Sequence, residues 1–136
     1  MVVQLSPAER LQYDRAVLAG RDVSAPVPVT YFFGLGSPGA RPVATEEALS
    51  AMGITDVVVG EEISGDGWWH VAAVTALRLT PEAIVEAKRQ MMRLAVATGM
   101  RFDRWQVTLN VGEETQLATR RPELVHVVDA LPPDWS

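Results

Sequence analysis

Residues 65–109 read GDGWWHVAAVTALRLT, PEAIVEAKRQMMRLAVATGM and RFDRWQVTL, a strand, a long helix and a second strand. From Trp68 to Thr80 the chain is rich in Val, Ala and Leu, without Gly or Pro, which suits a strand covered on both faces. Thr80 supplies an N-cap hydroxyl, Pro81 fits the first helical position, and Glu82 faces the positive end of the helix dipole. Gly99 ends the helix, since a residue without Cβ enters the left-handed C′ conformation cheaply. Arg101 to Leu109 alternates polar with apolar residues, as a half-exposed strand does. No catalytic set stands out here, which favours binding over chemistry.

Working outward, Ser6-Pro7-Ala8-Glu9 spells a capping box for a helix ending near Gly20. Its apolar residues Ala8, Leu11 and Leu18 form a thin stripe, so a peripheral helix is expected. Pro26 and Pro28 break the connector that follows. Val29 to Leu35, with Tyr31, Phe32 and Phe33, reads as a strand. Ala44 to Met52 reads as a short helix capped by Thr45, and Ile54 to Ile63 as a second strand. The order β-α-β-β-α-β predicts an α+β, ferredoxin-like fold: a four-stranded antiparallel sheet in the order 4-1-3-2, with two helices on one face. The expected organisation is an N-terminal helix and connector (1–25), the ferredoxin-like domain (26–109) and a C-terminal extension (110–136). In that extension, Glu123 to Leu131 could add a strand.

The composition bounds the function. The 136 residues are 48% hydrophobic and 21% charged, a single-domain length with globular usage. A net charge of −5 disfavours nonspecific nucleic-acid binding. There are no cysteines, hence no disulfides and no thiol chemistry. The first residues carry no basic-then-apolar leader, and no run approaches the ~18 apolar residues a membrane span needs. A soluble cytoplasmic protein is expected, with no cofactor or metal.

Gly34-Leu35-Gly36-Ser37-Pro38-Gly39 spells GxGxxG after a strand, yet Pro38 removes a donor and Pro42 delays the helix, so a plain loop is expected. His70 and His126 are far apart in sequence, against a shared metal, and His70 suits a sheet-packing role. Glu46-Glu47, Glu61-Glu62 and Glu113-Glu114 fall at a helix start, a strand end and a loop, where each has a local role. In the long helix Ile84, Ala87, Met91, Leu94 and Ala95 make one apolar face, widened by Val85, Met92 and Val96. The widening suits either a second covering element or a partner. Lys88 lies between the two groups and is expected to snorkel with its ammonium in water.

Trp68 and Trp69 must point to opposite faces of their strand, so one lies away from the helices. The tail, a second copy or a separate partner would cover it. Trp105, read as part of an edge strand, raises the same question. The candidate partner-binding residues are therefore Trp68, Trp69, His70, Arg104 and Trp105, and Trp105→Ala is expected to weaken association more than folding. A second reading is a small enzyme or ligand sensor with a pocket near His70 and Tyr31.

The elements Pro28-Val29-Thr30-Tyr31-Phe32-Phe33, Gly67-Trp68-Trp69-His70-Val71, Leu79-Thr80-Pro81-Glu82-Ala83-Ile84, Gly99 and Phe102-Asp103-Arg104-Trp105 resemble those of the ribonuclease E inhibitor B (RraB-like) family. The resemblance covers about residues 26–109. It implies a ferredoxin-like fold and a noncatalytic protein that binds the regulatory region of ribonuclease E and lowers its activity. Arg104 stands where the family signature has glycine, and Gln106 where it has glutamate.

Overall fold

A computed structural model describes residues 4–60 and 70–130. The elements are α1 (Pro7–Leu18), β1 (Val27–Leu35), α2 (Pro42–Ala51), β2 (Asp56–Val59), β3 (Val71–Leu77), α3 (Pro81–Thr98), β4 (Met100–Val107), α4 (Val111–Arg120), a 3-10 turn (Pro122–Leu124) and β5 (Asp129–Ala130). All strand pairs are antiparallel, in the order β2-β3-β1-β4-β5. The chain is α+β, and its first four strands run 4-1-3-2 across the sheet.

Alternation along β1 sets the two faces of the sheet. Val27, Val29, Tyr31 and Phe33 point into one core with Leu49 of α2 and Ile84, Met91 and Leu94 of α3. Tyr31 sits between Ala73 and Trp105, and Phe33 between Val71 and Phe102. Thr30 and Phe32 point the other way. The pairing of β1 with β4 shifts between Phe32 and Phe33, so that Phe102 and Arg104 oppose consecutive residues and Asp103 is the extra one. This β-bulge turns the parity of β4: Phe102 faces the core before it, Trp105 and Val107 after it.

The helix caps follow the sequence closely at α1 and α3. Ser6 and Glu9 exchange the two capping-box bonds, Thr80 Oγ1 accepts from Ala83 N–H, and Gly99 has φ 72°. Gly99 also lies close under another segment, where a Cβ would come 3.1 Å from the Gly39 carbonyl oxygen. At α2 the expectation changes. The helix begins at Pro42, and Thr45 is buried inside it, its hydroxyl within hydrogen-bond distance of the Arg41 carbonyl (3.0 Å) and of Thr98 Oγ1 of α3 (2.9 Å). Thr45 joins two helices instead of capping one.

Two further expectations are corrected. The inward face of α1 is built of Glu9, Gln12, Arg15 and Ala16, all buried, while Leu11 and Leu18 are half-buried. The helix is held by polar groups where an apolar stripe is missing. Glu113-Glu114 open α4 instead of lying in a loop: Asn110 and Glu113 form a second capping box, and Arg21 holds the Glu113 carboxyl below its usual range. The additional strand is β5, two residues long, after a 3-10 turn.

Candidate functional site: the sheet face away from the core and the polar seam beside it

The face opposite the core is formed by the even-numbered residues of β1 and β3 and their neighbours on β4. At its centre Phe32 lies between Ala72 and Arg104, and Thr30 lies beside Gln106. Thr30 Oγ1 and Thr108 Oγ1 are 2.6 Å apart, sharing one hydrogen bond. A cleft of about 460 Å³ opens here, lined by Phe32, Arg104, Gln106, Thr108, Val125 and His126 among others. It combines an aromatic floor with amide, hydroxyl, guanidinium and imidazole groups, a set suited to recognising a polar chain segment.

The predicted site residues separate on this map. Arg104 lies on this face, half-buried. His70 immediately precedes β3, its N–H donating to the Phe33 carbonyl at 2.7 Å. Its Nδ1 is buried with no hydrogen-bond partner among the described residues. Trp68 and Trp69 lie outside the described residues, as do Glu61 and Glu62. Trp105 is corrected in place: it is 1% exposed and packs in the core opposite Tyr31, not on the open face. The bulge at Asp103 is the physical reason, since it rotates Trp105 from the open face to the packed one. Nor is β4 a bare edge, because β5 pairs with it at Arg104 and Trp105.

Tyr31, the other half of the expected ligand pocket, is 2% exposed, and burial pushes its hydroxyl well above the usual tyrosine range. It faces the core, whereas the cleft lies on the other side of the sheet. Among the described residues no group of three or more His, Asp or Glu side chains could hold a metal ion. No helix there is long and apolar enough to cross a membrane.

Beside the cleft runs a buried polar seam that the sequence reading did not single out. Lys88 Nζ lies 2.8 Å from Glu9 Oε2 and 2.6 Å from Asp129 Oδ2. Trp105 Nε1 donates to the same Asp129 oxygen at 2.5 Å. The expected snorkelling of Lys88 is therefore corrected: the residue is 8% exposed and its ammonium is paired inside the fold. Burial pushes the Glu9 carboxyl up, but hydrogen bonds from Lys88 and Ser6 outweigh it and hold the group below its usual range.

Nearly two turns along α1 from Glu9, Arg15 donates to the carbonyls of Leu124 (2.7 Å), Val125 (3.1 Å) and Val107 (2.8 Å). Gln12 donates to the Val127 carbonyl and accepts from Val107 N–H, both at 2.8 Å. Burial lowers the Arg15 pKa, with Glu114 opposing. Three donors on α1 and α3 thus fasten residues 124–129. The available signal was α1 itself, a well-capped helix whose apolar stripe was too thin to anchor it.

A family model described as RraB, Regulator of ribonuclease activity B, matches residues 9–107, from the buried Glu9 of α1 to the end of β4. No curated protein matches the chain.

Proposed function

We propose that this chain, which belongs to the RraB family of regulators of ribonuclease activity, acts without catalysis, by binding the ribonuclease through the sheet face opposite its core. Ribonuclease E, in the cytoplasm, is the partner that the resemblance suggests. The family match carries the regulatory reading, and the character of the face supports a binding mechanism. Phe32, itself buried, closes the floor of the cleft, and Arg104, Gln106, Thr108 and His126 supply polar groups around it. His70 extends the surface along β3, and the adjoining Trp68 and Trp69 belong to the same proposed contact. The same reading takes β1 to β4 as ferredoxin-like, with α2 and α3 over one face. Its support is the shared core of Tyr31, Phe33, Leu49 and Ile84.

The test mixes purified full-length chain with ribonuclease E and follows both association and RNA cleavage. The expected result is a complex at micromolar concentration and slowed cleavage, with Arg104→Glu weakening both. Absence of association removes ribonuclease E as partner. A second copy of the chain is the competing occupant of the face. A dimer mass in solution that Arg104→Glu converts to monomer would assign the surface to self-association.

A further inference from the structure

We propose that residues 124–130 are a resident pseudo-ligand: they occupy a built site for a chain segment that runs from a turn into a short strand and carries one carboxylate, formed by the outer edge of β4 and the donors Gln12, Arg15 and Lys88.

Four observations converge on this. The segment is held chiefly by hydrogen bonds from side chains to its main-chain carbonyls: Leu124 and Val125 by Arg15, and Val127 by Gln12. Such bonds read the course of a chain rather than its side chains, so another segment that turns at the same place and then enters a strand can satisfy them equally well. The one side chain of the segment held by charge is Asp129, whose Oδ2 meets Lys88 Nζ at 2.6 Å and Trp105 Nε1 at 2.5 Å. That fixes an acidic residue as the selected feature. The register Arg104↔Ala130 and Trp105↔Asp129 shows that the β4 edge accepts an antiparallel strand. Finally, all three donors and β4 lie inside the family match at 9–107, whereas every group of the segment that they bind lies beyond it.

Apolar anchoring of the segment is slight. Leu124 is its buried apolar residue, while Val125, Val127 and Val128 are half-buried and His126 is exposed. Opening therefore trades protein hydrogen bonds for water and leaves the main core packed, the condition for local release ahead of global unfolding. Because the segment is tethered, its effective concentration is of millimolar order. A competing segment must bind more tightly or meet a weakened resident. A protein partner that presents a turn followed by a short strand with one carboxylate fits the site. The regulatory reading enters only in suggesting that this partner is the ribonuclease, and the test contains no ribonuclease, so either idea can fail alone.

The probe is a synthetic peptide of residues 121–130, added to the full-length chain and to its Asp129→Asn variant. The peptide should bind the variant about tenfold or more tighter than it binds the native chain, whose own segment fills the site. It should also bind the variant about tenfold tighter than does the same peptide carrying Asp129→Asn. Failure to bind the folded variant, or binding indifferent to the peptide carboxylate, overturns the proposal. Native-state hydrogen exchange on the unaltered chain provides a second measurement, independent of whether the variant folds. Amides of residues 124–130 should exchange by local opening, faster than those of β1 and β3. Exchange of all of them only through global unfolding would refute a displaceable segment.

Discussion

Trp105 and Lys88 show how much a single side chain's direction decides. Trp105 fills core volume opposite Tyr31, so Trp105→Ala should cost about 3–5 kcal/mol, read from the shift in the urea unfolding curve. Trp105→Phe keeps most of the packing but removes the donor to Asp129, and a smaller loss of about 1–2 kcal/mol is expected. Lys88→Met strands two carboxylates that meet at one ammonium and should destabilise the fold by about 3–5 kcal/mol near neutral pH. Glu9 adds a pH signature. Its folded pKa lies below the ordinary 4.5, so the stability it contributes is fully present above that value and is lost as pH falls through the lowered one. Thermal unfolding of Glu9→Gln should accordingly depend less steeply on pH between roughly 5 and 3 than that of the native chain. Equal slopes would mean that Glu9 gains nothing from its pairing.

Among the elements, α3 was the most legible and the stretch after β4 the least. Thr80, Pro81 and Gly99 announce both ends of α3 because a cap is a local device, satisfied within four residues. Gly99→Ala places a Cβ at a left-handed position and against Gly39, so a loss of about 1–2 kcal/mol is expected in chemical denaturation. A neutral result would imply that the loop over 36–41 moves freely. The bulge in β4 was also written in the sequence, as two polar residues, Asp103 and Arg104, between Phe102 and Trp105 where strict alternation allows one. Read as plain alternation, it put Trp105 on the wrong face. The asparagine at 110 with glutamate at 113 was a second capping box in plain sight, and α4 follows from it.

At the scale of the whole molecule, α1 is bound to β4 and to the C-terminal segment by side-chain hydrogen bonds that span more than 90 residues of sequence. Val107 provides an example, its N–H and C=O both satisfied by α1, through Gln12 and Arg15. Removing residues 1–20 should therefore abolish the single cooperative calorimetric transition, because buried backbone groups of β4 and the Lys88 cluster would lose partners. Retention of a sharp transition at an unchanged midpoint would show that α1 is an accessory. The regulatory role belongs to this scale as well, since the proposed binding face exists only once β1, β3 and β4 are side by side.

By itself, the sequence determined the succession of helices and strands from α1 to β4, the 4-1-3-2 order of the four main strands, and the resemblance to regulators of ribonuclease activity. Those properties rest on local caps, on hydrophobic period and on motif spacing, all carried by neighbouring residues. Only the tertiary structure decided that Trp105 turns inward, that Lys88 is paired in the interior, and that polar residues of α1 hold the segment after α4. A charged or amide side chain is compatible with water or with burial, and its choice depends on partners brought close by the fold.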